Sequence, residues 1–316
     1  MFHSAACESL TPGASAGRWK ISECIARGSF GGSVHIALDQ RNGQLAAVKL
    51  VPLLLRQRSD RDGGGGGGAA RALFHEAALM RQLHHPNIVG FLSVEIRNAH
   101  MCIFQELVPG GSVAALLQRF GALPEAMARC YARQALAGIE YLHKCRIAHR
   151  DLKASNMLVD AHSVLKLADF GTSVLLPDSS SLDSHSVSLT ARTCAIPASG
   201  AVHGTPYFMA PEMLQRQAHG LAVDTWGFGG ALLQMVSGAP PWSGAGVKSP
   251  AALLRHMRAR DGAPPPLPPR ASPPLRALLR ACFRWDAAAR PTAQQLRRHE
   301  FFCGGDSGAD RCATAA

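Results

Sequence analysis

The stretch HRDLKASN, residues 149–156, decides the fold of this 316-residue chain. It follows an apolar segment with helical spacing and precedes an apolar predicted strand at Met157–Val159. Asp151 and Asn156 are five positions apart, so one loop can direct a carboxylate and an amide oxygen at the same small volume. A second carboxylate follows the next predicted strand, in LADFG at 167–171, where the final glycine permits a sharp turn. Oxygen ligands from two adjacent loops suit octahedral Mg²⁺.

Two further motifs lie upstream of this stretch. A glycine-rich segment, residues 28–32, joins two predicted strands, and glycine lets backbone N–H groups approach phosphate oxygens. Such a segment can equally be a plain hairpin turn. Lys49 lies on a predicted strand between apolar residues, where an ammonium group needs a partner. Glu76, on the apolar face of the helix predicted at 71–83, is the natural candidate, although a surface Lys and Glu would also fit.

Composition and charge narrow the class of protein. The chain is 47% hydrophobic and 17% charged, which is typical of a globular protein, and no apolar run approaches the ~20 residues of a membrane helix. The net charge of +11 comes from scattered basic residues, 27 of them arginine, so we expect no nucleic-acid partner. Nine cysteines without a CxxC pair predict free thiols in a reducing compartment. We therefore expect a soluble cytoplasmic protein that binds no membrane.

The periodicity of the chain changes after the first third. Alternating patterns predict a small strand-rich part with one main helix, and 3.6-residue patterns predict a larger helical part after about Glu106. The predicted fold class is therefore α+β, in two lobes. Strands are predicted at 19–26, 33–39, 44–51, 92–95 and 101–106, and further helices at 124–144, 224–237, 276–284 and 292–299.

The order of these motifs resembles that of eukaryotic Ser/Thr protein kinases over Trp19–Phe302. APE at 210–212, Asp224 and Arg290 match later motifs of that family, in which the arginine pairs with the APE glutamate. The resemblance implies a bilobal kinase fold. Its domain would span 19–302, with an N-lobe at 19–105 and a C-lobe at 106–302, between an N-terminal extension at 1–18 and a disordered tail at 303–316.

The same resemblance implies roles for the residues already singled out, with ATP and Mg²⁺ as cofactors. Lys49 would hold the α- and β-phosphates and be held by Glu76. Asp151 would orient the substrate hydroxyl and accept its proton, and Lys153 would steady the γ-phosphate. Asn156 and Asp169 would ligate Mg²⁺, while His149 and Asp224 would brace the catalytic loop.

The nucleotide would lie between the two lobes. The resemblance places Phe104 at the rear of its pocket, as the gatekeeper, and the backbone of Glu106 and Leu107 at the edge of the adenine. The remaining residues implied in nucleotide binding are Ile25, Ala26, Gly28, Ser29, Phe30, Gly31, Val34, Ala47, Lys49 and Leu158.

Details of the motifs narrow the subfamily. Lys153 in HRDLK is typical of Ser/Thr kinases, and HPNIV at 85–89 and ELVPGGSV at 106–113 resemble the mitogen-activated protein kinase kinase kinases. The resemblance implies that the protein substrate is a kinase kinase and that an upstream kinase or a scaffold is a further partner. The alternatives are a Ser/Thr kinase of a neighbouring branch and a pseudokinase scaffold that binds without catalysis.

Several positions depart from the family pattern. Ala26 replaces the usual first glycine of the phosphate loop, and one extra residue precedes Val34, so we expect a bulge at Gly32 or Ser33 that returns Val34 to the adenine. The segment 178–203 is long and rich in Ser and Thr, and we expect it to be disordered. Its candidate phosphorylation sites are Thr190, Thr193 and Ser199, and the resemblance implies that Arg150 would receive the phosphate. With 18 residues before Trp19 and 14 after Phe302, we expect control to come from this segment, from partners or from sequence outside the chain.

Overall fold

The computed structural model of the protein describes residues 18–27, 32–53, 76–177, 206–247 and 249–303. Five antiparallel strands form one sheet. Their bounds are β1 Trp19–Arg27, β2 Ser33–Asp39, β3 Leu45–Pro52, β4 Phe91–Arg97 and β5 His100–Glu106. Their order in the sheet is β1-β2-β3-β5-β4. This sheet, followed by a mainly helical part, confirms the predicted α+β fold in two lobes.

The turn between β2 and β3 shows how the sequence sets the sheet. Gly43 has φ +74° and donates its N–H to the Asp39 carbonyl at 2.8 Å. A left-handed residue at this point suits glycine, which carries no Cβ to clash. The β2–β3 ladder then runs without a shift from Leu38↔Leu45 to Ser33↔Leu50.

The rest of the described chain is mainly helical. A helical turn at 76–80, here called α1, belongs to the first lobe, and the helices and short strands that follow build the second around the long helices Glu125–Lys144 and Ala222–Ser237. Their bounds are α2 Val113–Phe120, α3 Glu125–Lys144, β6 Ile147–Ala148, β7 Met157–Val159, β8 Leu165–Leu167, β9 Val174–Leu175, α4 Pro211–Leu214, α5 Ala222–Ser237, α6 Pro250–Arg258, α7 Pro273–Cys282 and α8 Ala293–Arg297.

Helix α5 is buried nearly all round, as its apolar pattern predicted. Its glycines allow neighbouring chain segments to approach closely. A Cβ on Gly227 would lie 3.0 Å from Leu152, and a Cβ on Gly229 would lie 2.6 Å from Cys282. Glycine is unfavourable in an isolated helix, but in α5 it leaves room for the segment around Leu152 and for α7 to pack closely.

Helices α2 and α6 were missing from the sequence prediction. Both begin at a serine whose hydroxyl accepts a backbone N–H of the first turn: Ser112 from Ala115 and Ser249 from Ala252, each at 3.2 Å. Pro250 also occupies the first turn of α6. Serine before an apolar segment, strengthened by proline, is a recognised helix start and could have identified both helices.

Within the described ranges, no helix is both long and apolar enough to cross a bilayer. Several predictions fall outside those ranges. They concern the glycine-rich residues 28–31, the start of the helix predicted at 71–83, the segment 178–203 with its three candidate phosphorylation sites, and the tail after residue 303.

Candidate active site

The loop at 149–156, between β6 and β7, is called the catalytic loop below. It brings together Asp151, Lys153 and Asn156. Lys153 Nζ donates to both oxygens of the Asp151 carboxylate, at 3.0 and 2.7 Å. Asn156 Nδ2 donates to Asp151 Oδ2 and to the Asp151 carbonyl, each at 2.9 Å. The five-residue spacing therefore directs carboxylate and amide into one volume, as the sequence predicted.

Asp224 on α5 holds the start of this loop through hydrogen bonds. Its carboxylate accepts the backbone N–H of His149 and of Arg150, both at 2.8 Å, and lies 2.9 Å from His143 Nε2. Burial alone would raise the pKa of Asp224, but the hydrogen bond and charge of His143 and the loop N–H donors hold it below its usual value. These contacts confirm Asp224 as a brace and add His143, which the sequence analysis did not single out.

Lys49 on β3 joins two carboxylates from different parts of the chain. Its Nζ donates to Glu76 Oε1 and to Asp169 Oδ1, each at 2.8 Å. Burial would lower the pKa of Lys49, but the charges of Asp169 and Glu76 outweigh it and raise that pKa above its ordinary value. Lys49 therefore stays an ammonium ion, and the predicted pair with Glu76 is confirmed.

Asp169 follows β8 in a left-handed conformation, with φ +64°. Non-glycine residues adopt this region at a cost, and here it accompanies the turn of the carboxylate toward Lys49. Burial would raise the pKa of Asp169, but the Lys49 ammonium lowers it below its usual range. The next residue, Phe170, is 1% exposed and packs against the His149 ring, with 5.0 Å between ring centroids.

The donor set around Asp169 fits Mg²⁺. Asn156 uses its amide nitrogen on Asp151, so its carbonyl oxygen points elsewhere, and Asp169 carries a second carboxylate oxygen beyond the one near Lys49. Across the described ranges, no group of three His, Cys, Asp or Glu residues could hold a metal alone. Mg²⁺ usually takes one or two protein oxygens and completes its shell with phosphate and water, which matches this pair.

The β3–β5 register identifies the side chains that face the space next to Lys49. Directly opposite residues of an antiparallel pair share a face. Val34 pairs with Lys49, and Ala47 pairs with Gln105, so all four lie on the same side of the sheet. Gln105 Nε2 lies 3.6 Å from the sulfur of Met80 on α1, at the rear of this space.

The prediction for Phe104 is wrong. Phe104 pairs with Val48 and lies on the opposite face, where its ring stacks on Trp19 with centroids 4.8 Å apart. Side chains alternate along a strand, so a shift of one residue in the alignment moves the side chain to the other face. Gln105, not Phe104, shares the sheet face of Lys49 and Ala47, and only the cross-strand pairing shows this.

The predicted orientation of Val34 is confirmed, but the structure shows no bulge at Ser33. Ser33 and Val34 pair with β3 in unbroken register, and Val34 reaches the Lys49 face without a bulge at Ser33. The irregularities lie in β1 instead, on either side of Cys24. Ala26 pairs with Val34 on that strand, and Ile25 beside it is 48% exposed.

Leu158, which was predicted to contact the adenine, belongs to a small apolar cluster. On β7 it packs against the buried residues Val89, Val108 and Ala168. Val108 follows the predicted adenine-edge residues Glu106 and Leu107 and is 7% exposed, so the cluster adjoins the predicted adenine edge.

A buried ion pair anchors α4 to the end of the domain. Arg290 donates to Glu212 through both terminal nitrogens, at 2.6 and 2.8 Å. Its guanidinium also lies 5.0 Å from the ring centroid of Trp226 on α5. The predicted pairing of Arg290 with the APE glutamate is confirmed.

Comparison with known sequences agrees with this geometry. The family model described as "Protein kinase domain" matches residues 19–302. Relatives include mitogen-activated protein kinase kinase kinase 2 of Arabidopsis thaliana, 35% identical over 287 residues, which are 91% of this chain and 41% of that protein. Mitogen-activated protein kinase kinase kinase A of Dictyostelium discoideum is 32% identical over 284 residues, 90% of this chain and 28% of that protein. Mitogen-activated protein kinase kinase kinase 19 of Mus musculus is 35% identical over 283 residues, 90% of this chain and 20% of that protein. The chain thus spans less than half the length of these relatives.

Proposed function

Since the chain belongs to the protein kinase domain family, we propose that it is a Ser/Thr protein kinase that transfers the γ-phosphoryl group of ATP to a protein hydroxyl. The observation that carries this proposal is the double contact of Lys49, which holds Glu76 and Asp169 at 2.8 Å each. Phosphoryl transfer depends on positioning and on charge neutralisation, and this contact assembles both in one place. A pseudokinase scaffold would not require it.

The residues of the loop have complementary roles in this proposal. Asp151 orients the substrate hydroxyl and accepts its proton, while Lys153, 2.7 Å from Asp151, places a positive charge beside the transferred group. Asn156 and Asp169 would hold Mg²⁺, which neutralises phosphate charge when bound. Asp224 keeps His149 and Arg150 in place and so fixes the direction of the Asp151 carboxylate.

The nucleotide would lie against the sheet face that carries Ala47 and Val34, above Leu158 and with Gln105 behind it. The backbone of Glu106 and Leu107, extended by Val108, would bind the adenine edge. The glycine-rich segment and the end of β1 would cover the phosphates. The residues proposed for this cover are Ile25, Ala26, Gly28, Ser29, Phe30 and Gly31.

The names of the relatives support a finer proposal. They are mitogen-activated protein kinase kinase kinases, so the substrate of this chain would be a kinase kinase, with an upstream kinase or a scaffold as a further partner. The domain would span 19–302, with lobes at 19–105 and 106–302, an extension at 1–18 and a tail at 303–316. A cytoplasmic location remains part of the same proposal.

The test is a labelling experiment with a matched variant. Purified protein is incubated with radiolabelled ATP, Mg²⁺ and a panel of kinase kinases that lack their own catalytic activity. We expect Asp151→Asn to lower the labelling rate by a factor of about 10²–10⁴ while leaving thermal unfolding nearly unchanged. Equal labelling by both proteins, or none by either, would contradict the catalytic proposal. Labelling of a generic substrate but of no kinase kinase would contradict the proposed substrate alone.

A further inference from the structure

Four exposed arginines lie together on the second lobe, at the junction of α4 and α6. They are Arg216, just after α4, and Arg255, Arg258 and Arg260, on the outer face of α6 and the turn beyond it. Helices α4 and α6 pack on one another, and Arg258 Nη2 donates to Gln215 Oε1 at 3.1 Å. Arg216 is the next residue after Gln215, so the two elements contribute to one surface, called the arginine cluster below.

The helix that carries this cluster is held firmly from its inner side. Leu253 is 0% exposed and Met257 is 1% exposed, and the His256 ring meets Trp242 edge-on with centroids 5.7 Å apart. Arg255 and Arg258 are three positions apart on the helix and therefore share its outer face. The packing of its inner side thus fixes the backbone from which these arginines project.

The charge of the cluster is poorly balanced within the described residues. The acidic residues between 206 and 303 are Glu212, Asp224, Asp261, Asp286 and Glu300. Two of them are buried with other partners: Glu212 with Arg290, and Asp224 with the catalytic loop. Asp261 is the acidic residue adjacent in sequence, so four arginines and one aspartate leave a local charge of +3. The helix dipole favours cations at the end of α6 but does not account for Arg216 on another element.

Packing contacts connect the cluster to the neighbourhood of the catalytic loop. Helix α6 packs against the turn Pro206–Phe208, and Tyr207 Oη donates to the Val247 carbonyl at 2.8 Å. That turn lies on α5 beside the catalytic loop. A Cβ on Gly230 would approach Phe208 to 2.9 Å, as a Cβ on Gly227 would approach Leu152 to 3.0 Å. Gly227 and Gly230 are only about 4.5 Å apart along the helix.

We propose that the arginine cluster binds an acidic segment of the protein substrate, away from the hydroxyl that receives the phosphoryl group. This inference rests on the proposed kinase function and adds a substrate class to it. A polypeptide that passes from Asp151 along the turn Pro206–Phe208 reaches α6 next. Carboxylates there would form charge-assisted hydrogen bonds with the guanidinium groups and speed association.

The experiment compares two synthetic peptides that share one serine acceptor sequence and one flexible linker of about 15 Gly and Ser residues, which spans roughly 20 Å. One peptide ends in a block of glutamates and the other in an equal block of glutamines. We expect kcat/KM to be about five- to tenfold higher for the glutamate peptide at low salt. The advantage should disappear at about 1 M salt, where the Debye length is about 3 Å.

Charge-reversal variants locate the effect. Arg255→Glu, Arg258→Glu and Arg260→Glu, combined, should remove the preference for the glutamate peptide and leave kcat/KM for the glutamine peptide unchanged. The matched control reverses three exposed arginines elsewhere, Arg119→Glu, Arg280→Glu and Arg298→Glu, with the same change in net charge. We expect the control to keep the preference.

The outcomes separate this inference from the proposed function. If the wild-type protein phosphorylates neither peptide nor a kinase kinase, the proposed function fails. If it phosphorylates both peptides equally well, the inference fails and the kinase function stands. An equal loss of preference in the two triple variants would assign the effect to net charge and overturn the cluster as a binding surface. The salt comparison on the wild-type protein needs no variant and tests the inference if the triple variant does not fold.

Discussion

Lys166 lies 3.0 Å from Glu106 and joins the strand that leads to Asp169 to the segment that connects the two lobes. The other oxygen of the Glu106 carboxylate accepts the N–H of Gly90 at 3.1 Å, and the Glu106 N–H donates to the Gly90 carbonyl at 2.8 Å. Lys166 is on β8, three residues before Asp169. One carboxylate therefore ties together the end of β5, the start of β4 and the strand that presents a proposed Mg²⁺ ligand.

We expect Lys166→Met to weaken ATP binding. Without the ammonium, Glu106 loses the partner that holds it against β8, and its backbone, proposed to bind the adenine edge, becomes less well positioned. The KM for ATP should rise about three- to tenfold, which corresponds to the 0.5–1.5 kcal/mol of a typical hydrogen bond, while kcat changes less than about twofold. Steady-state kinetics at varied ATP check this, and Lys166→Arg should restore most of the affinity. A fall in kcat with an unchanged KM would contradict this role.

The positions of Phe104 and Gln105 on opposite faces of β5 predict opposite phenotypes. Gln105→Ala should enlarge the rear of the nucleotide pocket and admit ATP-competitive inhibitors with bulky substituents on the purine ring. Phe104→Ala should leave inhibitor selectivity unchanged and cost about 3–5 kcal/mol of stability, because it leaves a cavity against Trp19. Inhibition constants and urea unfolding measured on both variants decide the assignment. Changed inhibitor selectivity in Phe104→Ala, and none in Gln105→Ala, would show that Phe104 lines the nucleotide pocket.

Much of the site could be predicted from sequence because its parts depend on local spacing. Asp151 and Asn156 meet because one loop carries both, and the pairing of Lys49 with Glu76 follows from the need of a shielded ammonium for a carboxylate. The two wrong predictions, for Phe104 and for the bulge, both depend on how neighbouring strands pair. Whether residue 104 or 105 faces the pocket, and whether a shift falls in β1 or β2, depends on cross-strand pairing that one strand's sequence does not determine.

Contacts between elements that are distant in sequence could not be predicted from the sequence either. Lys166 and Glu106 are 60 positions apart and each is compatible with an exposed surface, so nothing in either local pattern indicates a partner. Likewise, Arg216 joins the arginines of α6 and of the turn after it because α4 packs on that helix, and α6 itself was missing from the predicted elements. The serine and proline at its start were a readable signal, but the packing that forms the arginine cluster was not.

The lowered pKa of Asp224 predicts a pH-dependent contribution to stability. The unfolded chain binds a proton at this carboxyl more readily than the folded protein does. The stabilisation is therefore fully present above the unfolded pKa of about 3.9 and is lost as pH falls toward the folded value. We expect Asp224→Asn to lower the free energy of unfolding at pH 7 by about 2–3 kcal/mol, with the gap to wild type closing on acidification below about pH 4. Urea unfolding from pH 7 to 3 measures the gap, and the exposed Asp261→Asn is the control. A gap that is independent of pH would contradict the prediction.

The Arg290–Glu212 pair should be among the most costly contacts to break in the second lobe. Besides Glu212, the Arg290 guanidinium donates to the carbonyls of Ala222, Arg284 and Trp285, at 2.8–3.1 Å, and its side chain is 0% exposed. Arg290→Met would leave a buried carboxylate without its cation, and we expect a loss of about 3–5 kcal/mol in the free energy of unfolding. Because much of that loss is the uncompensated charge of Glu212, adding Glu212→Gln should recover part of it rather than add to it. Chemical unfolding of the two single variants and the double variant measures the coupling. Additive losses would show that Arg290 acts through its carbonyl contacts and its stacking on Trp226, not through the ion pair.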